Sequence, residues 1–359
     1  MHGQLETCEA GFEKDSKEED ILKFAVLTGG GDSSGINDFL YFLAQRLERE
    51  GHSLIGFRRS WLGLVNNDAV ELGRKCLAQH RFTPGTILGT ERKNPIKDGE
   101  IDKVLASLED REVDVLIAMG GDDTLGVANH LAGMGFTVVG VAQTIDDDVQ
   151  GTDRSLGYYT AIYQGVRAVN SMVNSNVAHD RDMIVEIMGR DAGWLALGVA
   201  VNTPACACMC PEGAMTFDEM VSAMERYRRE NGQAALAIVS EGIQLEGVER
   251  AGLQRDAFGN IAYAGVSHIV GDLYKQRTGR NPRVQVMGYM LRGGTPVPQD
   301  VELAAFYANY AVDLALAGQT GRLAGLQNGK PTAVPLSEVV GQKKLLDLAE
   351  LKEKLALLA

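Results

Sequence analysis

The sequence predicts an α/β protein of two doubly wound, Rossmann-like domains with mainly parallel sheets and a cleft between them. Three observations lead there. Short apolar runs alternate with amphipathic helical segments along most of the chain, the pattern of a parallel sheet with helices on both faces. The apolar runs end at glycine followed by polar or acidic residues, as strands do where ligands collect at their carboxyl ends. At 359 residues the chain also exceeds what one ordinary core takes up, so it should divide.

Taken in order, residues 1–20 are polar and charged and read as a disordered tail. The apolar run 24–27 is a strand, followed by a glycine-rich turn and helical periodicity over 36–49. Strand, glycine loop and helix in that order place an anion at a helix N-terminus. Residues 54–57 form the next strand, and 61–64 a loop after it. A second glycine-punctuated loop spans 84–95 and carries the adjacent cations Arg92 and Lys93 beside Pro95. Helix 101–108, strand 113–119, helix 125–134 and strand 136–141 complete the first half. The second half repeats the alternation: helices at 158–173, 194–201, 217–229, 266–277 and 301–316, and strands at 183–187, 205–210, 235–240 and 284–288.

Composition narrows the function classes. Hydrophobic residues at 45% and charged residues at 23% are those of a globular protein. A net charge of −13 argues against nucleic acid or an anionic membrane as partner. An anionic substrate therefore needs a local basic cluster. No apolar run approaches a membrane span and the N-terminus lacks a signal peptide's apolar core, so a cytoplasmic location is expected. The five cysteines form no disulfide framework. Cys206, Cys208 and Cys210 alternate, which predicts all three on one face of a buried strand.

The most informative stretch is Gly120-Gly121-Asp122-Asp123-Thr124, at the end of the run 113–119. Glycines turn the chain sharply and expose backbone N–H groups to an anion. Two carboxylates there would repel a bare phosphate, so a divalent cation is expected between them, and Mg²⁺ is the usual choice for one or two carboxylates plus phosphate oxygens. Leu27-Thr28-Gly29-Gly30-Gly31-Asp32 and Thr144-Ile145-Asp146-Asp147-Asp148 occupy equivalent strand ends. Their shared place points to phosphoryl transfer.

Together with Gly151-Thr152-Asp153, the run Val185-Glu186-Ile187-Met188-Gly189-Arg190, Glu241-Gly242, Gly288 and Arg292-Gly293-Gly294-Thr295-Pro296, these motifs resemble the phosphofructokinase family of the glycolytic type, from about residue 24 to 326. The run 120–128 with Ala192-Gly193-Trp194 is most similar to the bacterial branch that holds both pyrophosphate- and ATP-dependent members.

The resemblance implies roles. Asp146 matches the catalytic base that takes the proton of the sugar's 1-hydroxyl, a task suited to a strand-end carboxylate. Thr144 and Arg190 match residues that steady the transferring phosphoryl group, and Asp122 the magnesium-associated aspartate. Gly30, Gly31, Arg92, Lys93, Gly121, Asp123, Thr124 and Gln143 fall on the donor side. Asp148, Met188, Gly189, Glu241 and Arg292 fall on the sugar side. Arg181 and Arg283 match arginines that grip the 6-phosphate across a subunit interface, which implies a homodimer or homotetramer. Residues 21–157 with 292–345 would form the larger, donor-binding domain, 158–291 the smaller, sugar-phosphate domain, and 346–359 a C-terminal helix.

Departures from the family pattern bear on substrates. Asp123 stands where the ATP-dependent type commonly has glycine, and its charge disfavours an α-phosphate. Gln143 stands where pyrophosphate enzymes usually have lysine and many ATP enzymes glycine; it offers hydrogen bonds without charge. The carboxylate excludes whereas the glutamine only weakens, so the reading leans to pyrophosphate, with ATP as the alternative. Tyr289 replaces a histidine near the 6-phosphate, Asp147 an asparagine, and Ser33-Ser34 a small residue and proline. These admit another sugar phosphate, such as a seven-carbon one. Tyr41 in place of an effector-binding arginine argues against nucleotide allostery. The expected reaction is Mg²⁺-dependent phosphorylation of fructose 6-phosphate to fructose 1,6-bisphosphate; the rival from another class is a non-catalytic sugar-phosphate sensor.

Overall fold

A computed structural model describes residues 21–246 and 265–358; the tail expected at 1–20 lies outside them. Eleven strands follow in chain order: β1 (Lys23–Thr28), β2 (Ser53–Phe57), β3 (Ala69–Glu71), β4 (Val115–Gly120), β5 (Val138–Ala142), β6 (Met183–Ile187), β7 (Ala207–Met209), β8 (Leu236–Ser240), β9 (Arg283–Val286), β10 (Arg322–Gln327) and β11 (Lys330–Pro335). The chain falls into two compact units. The first takes the described residues up to Thr144 together with Val149–Gly157 and Thr295–Lys343; the second takes Ile145–Asp148, the described part of Tyr158–Gly294, and the residues from Lys344 on. Ile145–Asp148 thus groups with the second unit, where the sequence reading kept it with the first, and the C-terminal helix (Leu348–Leu355) belongs to that unit as well.

The first unit holds a seven-stranded sheet in the order β11-β10-β5-β4-β1-β2-β3. Its inner strands run parallel and the edge strands β3 and β11 antiparallel. Strand alternation fills two cores. Phe24 and Val26 of β1, with Val115, Ile117 and Met119 of β4, face the helices Ile36–Glu50 and Pro298–Leu316, whereas Ala25, Leu27, Leu116 and Ala118 face the helices Ile101–Asp110 and Asp122–Gly133. Both faces are dry, which is why these strands read as unbroken apolar runs.

In the second unit β7-β8-β6-β9 are all parallel. Met183, Val185 and Ile187 join one core with Trp194, Leu195 and Val199, and Ile184 joins the other with Met220, Met224, Val270 and Tyr274. The buried Glu186 crosses into that second core and accepts hydrogen bonds from Gly265 N, Ser267 N and Ser267 Oγ at 3.0, 2.8 and 2.8 Å, closing the start of the helix Val266–Thr278.

Two local expectations need correcting. Residues 61–64 are not a loop: Trp61–Val65 is helical, held by burial of Trp61 and Leu64 and by Ser107 Oγ donating to Leu64 O at 2.5 Å. A single helical turn is too short to leave a periodicity. The three alternating cysteines do not share one face either. The strand covers only Ala207–Met209. Cys206 precedes it at a bend and packs into one core, while Cys208 and Cys210 pack into the other with their sulfurs 3.7 Å apart. All three are buried, as expected.

Candidate active site

In the first unit, β5, β4 and β1 are neighbours in that order, and their carboxyl ends release Gln143-Thr144, Gly121-Asp122-Asp123 and Gly29-Gly30-Gly31 side by side. Ladder pairs carry this register to the last residues, with Thr28 opposite Met119 and Gly120 opposite Ala142. A Cβ on Gly29 would lie 2.4 Å from Thr124 Oγ1, and one on Gly120 2.6 Å from the same atom. Thr124 is buried and occupies the space these two missing side chains leave. It therefore seats the two glycine loops against each other. The 84–95 loop joins them, with Thr90 Oγ1 donating to Gly30 O at 2.8 Å and Thr28 Oγ1 donating to Gly89 O at 3.1 Å.

Asp122 and Asp123 begin the helix Asp122–Gly133, with Gly121 as its N-cap, so their carboxylates sit at the positive end of the helix dipole. Asp122 is exposed and its Oδ1 accepts the N–H of Gly341 at 2.8 Å. Among the described residues no group of three or more His, Cys, Asp or Glu side chains gathers as a metal cage. An exposed carboxylate beside backbone N–H groups suits a hard cation that shares its shell with phosphate oxygens and water.

Two residues expected on the donor side have partners within the fold. Lys93 is engaged within its own loop: Nζ is 2.9 Å from Asp98 Oδ2 and also pairs with Glu100. Those carboxylates raise its pKa and already balance its charge. Gln143 is only 1% exposed, and its amide donates at 2.9 Å both to Gly31 O and to Ser33 Oγ. With both N–H bonds committed, it holds the first glycine loop. Arg92, its neighbour on the same loop, is partly buried.

In the second unit, β6 and β8 are paired up to Ile187 opposite Ser240, which brings Met188-Gly189-Arg190 beside Glu241-Gly242. Glu241 Oε1 accepts the N–H groups of Gly189 and Arg190 at 3.2 and 3.1 Å. Arg190 takes a left-handed φ of 50°, sparsely populated for a non-glycine residue. Its carbonyl then presses on Gly242, where a Cβ would lie 1.6 Å from Arg190 O; only glycine can follow Glu241. Arg190 Nε is 3.8 Å from Asp146 Oδ2. Two carboxylates and a guanidinium, from Asp146, Glu241 and Arg190, thus gather within this unit. Asp148 and the half-buried Met188 flank them. Arg292 lies 5.2 Å over the ring of the exposed Tyr289.

The two remaining arginines lie elsewhere in this unit. Arg283 starts β9 opposite Met183, at the amino ends of the strands. Arg181 just precedes β6 and donates to Asn281 O at 3.2 Å. Arg283 donates to Ser175 Oγ and Asn176 Oδ1 at 3.1 and 3.2 Å. The length of β6, about 16 Å at ~3.3 Å per residue, separates them from Glu241 and Arg190. Within one chain they are not part of the same site.

A chain with glycine-bearing strand ends in one unit and a carboxylate–arginine–carboxylate cluster in the other has known relatives. The phosphofructokinase model (PFK: Phosphofructokinase) matches residues 23–315. The chain belongs to the phosphofructokinase family. A pyrophosphate--fructose 6-phosphate 1-phosphotransferase of Amycolatopsis methanolica is 38% identical over 328 residues, 90% of this chain and 96% of the relative. An ATP-dependent 6-phosphofructokinase of Mycobacterium leprae is 32% identical over 90% of this chain and 96% of its own length. In fold, the crystal structure of a pyrophosphate-dependent phosphofructokinase from Nitrosospira multiformis is similar with a TM-score of 0.78 at 20% identity, covering 90% of this chain and 86% of that one. No helix among the described residues is long and apolar enough to cross a membrane.

Sequence reasoning gave Gly242 no role beyond its motif, although a glycine after a strand-end carboxylate was the available signal. It gave no sign of Lys344, treated below.

Burial, and next the charge of Asp146, push the Glu241 carboxyl up from 4.5 to about 7. The folded chain therefore keeps this proton to higher pH than the unfolded chain does. Its stability contribution is complete below pH 4.5 and falls as pH rises through 7, by about 3 kcal/mol in total at ~1.36 kcal/mol per pH unit. Thermal unfolding of wild type and Glu241→Gln between pH 4 and 8 should give a difference that grows over this window and is flat above it. Parallel curves would contradict the assignment.

Proposed function

We propose that the chain is a phosphotransferase moving a phosphoryl group from pyrophosphate to the 1-hydroxyl of fructose 6-phosphate, giving fructose 1,6-bisphosphate reversibly. The observation that carries this reading is the cluster of Asp146, Arg190 and Glu241. The Asp146 carboxylate takes the hydroxyl proton as the new O–P bond forms and the bridging P–O bond of pyrophosphate breaks, releasing phosphate. Arg190 supplies fixed positive charge where charge concentrates on the transferring group, aided by Thr144. Glu241 accepts from sugar hydroxyls, beside Met188, Gly189, Asp148 and Arg292. Gly30, Gly31, Gly121 and Arg92 receive the donor. Asp122 would hold Mg²⁺ through a carboxylate oxygen, and the ion neutralises phosphate charge when bound. The chemistry belongs in the cytoplasm, where phosphorylated sugars are handled.

Pyrophosphate is favoured by Asp123 at the start of the helix, where a third phosphate would meet a like charge, and by the name of the Amycolatopsis relative. ATP is the second reading, favoured by the neutral, already engaged Gln143. Rates with pyrophosphate and ATP at equal magnesium, against fructose 6-phosphate and sedoheptulose 7-phosphate, decide between them. Pyrophosphate with fructose 6-phosphate should be faster by tenfold or more, and the reverse reaction measurable; preference for ATP would overturn the donor.

The distance of Arg181 and Arg283 from Glu241 supports a homo-oligomer, dimer or tetramer, in which a second copy grips the 6-phosphate. Asp146→Asn and Arg283→Ala variants, each inactive or nearly so as purified, should regain activity when unfolded and refolded as a mixture. A mixture no more active than its components would contradict a shared site.

A further inference from the structure

The loop carrying Asp146 has three consecutive carboxylates, and the middle one is anomalous. Asp147 is 0% exposed and adopts a left-handed φ of 55°. An ionised carboxylate removed from water is strongly disfavoured unless a cation and hydrogen bonds accompany it. Lys344, 197 positions further along by number, provides the cation: Nζ is 2.9 Å from Asp147 Oδ2, and its side chain is 16% exposed.

Lys344 is itself fixed from several sides. Its backbone N–H donates to Asp148 O at 2.9 Å, and its carbonyl accepts the Trp194 indole N–H at 2.7 Å. Nζ lies 5.4 Å from the centre of the same indole ring, within cation–π reach. Two residues on, Leu346 N donates to Glu212 Oε1 at 3.0 Å, the oxygen that also accepts Gly193 N at 3.0 Å. One residue therefore grips both Asp147 and Asp148, and is anchored to the loop leading into the helix Trp194–Ala200.

We infer that Lys344 is a positioning residue for the catalytic base: its ion pair with Asp147 and its backbone bond to Asp148 fix the loop from which Asp146 projects. The inference rests on the proposed role of Asp146 and adds to it. Removing Lys344 takes away a cation that compensates the buried Asp147 charge, and two responses are favoured. Asp147 takes up a proton, or the loop turns to expose it, and the second displaces its neighbour Asp146. The lysine also cancels the one carboxylate of this cluster that has no substrate to meet, in surroundings already holding Asp146, Asp148 and Glu241. Arg190 also faces them, with Nε 3.8 Å from Asp146 Oδ2.

The test uses the full-length chain with fructose 6-phosphate and the donor the wild type prefers. Lys344→Met should lower kcat by about tenfold or more, as small misplacements of a reacting group do, with the KM for the sugar phosphate changed less than threefold. Adding Asp147→Asn to Lys344→Met removes the charge that needs pairing and should recover most of the lost kcat. Thermal unfolding of each variant gives the folded fraction by which its rate is corrected. A corrected kcat for Lys344→Met equal to wild type, or a loss that Asp147→Asn does not relieve, would overturn the positioning role. Failure of the underlying reaction is distinguishable, because the wild type itself would then show no turnover with these substrates.

Discussion

A parallel sheet covered by helices on both faces has no place for polar chemistry except beyond its strand ends, and the rest of this structure follows from that. β1, β4 and β5 bury every side chain from Phe24 to Leu27, Val115 to Met119 and Val138 to Ala142. Apart from Lys23 and Thr28 at the two ends of β1, their polar residues begin where the ladder stops. Because the strands are in parallel register, the turns after them emerge at one level, and glycine there lets backbone N–H groups face outward. The second sheet repeats the arrangement on a smaller scale, with Arg190 and Glu241 leaving adjoining strands.

Close packing then sets the geometry of the charged groups. The left-handed turn at Arg190 aims two N–H groups at Glu241 and pushes a carbonyl against Gly242. In the first unit Thr124 fills the gap between two glycine loops. These contacts are apolar or backbone in kind, yet they place the ionic ones. Buried carboxylates elsewhere have structural duties: Asp182 accepts from Ala235 N and Tyr274 OH at 2.8 and 2.7 Å and pairs with Arg228 at 2.9 Å.

What the sequence discloses follows the same division. Strand-end motifs are legible because burial on both faces gives continuous apolar runs and glycine marks where they stop. The reach of individual side chains is not. Nothing in the pattern shows that the irregular loop folds Asp98 and Glu100 back onto Lys93. Nor does it show that Gln143 is buried beneath the first glycine loop. Cys206 leaves the alternation because the strand it was assigned to is three residues long. Asp147 carried a hint, an added charge with no visible partner, but its cation arrives from the far end of the chain. The wide separation of Arg181 and Arg283 from Glu241 is legible only with the strand direction in hand.

The central claim is that Asp146 acts as the base while its surroundings bind the sugar phosphate. Asp146→Asn keeps the side chain's size and removes its basicity, so turnover and binding can be measured separately on one variant. Turnover should fall by about 10²–10⁴-fold, while calorimetry still detects fructose 6-phosphate binding near the wild-type affinity. Turnover within tenfold of wild type would contradict the account.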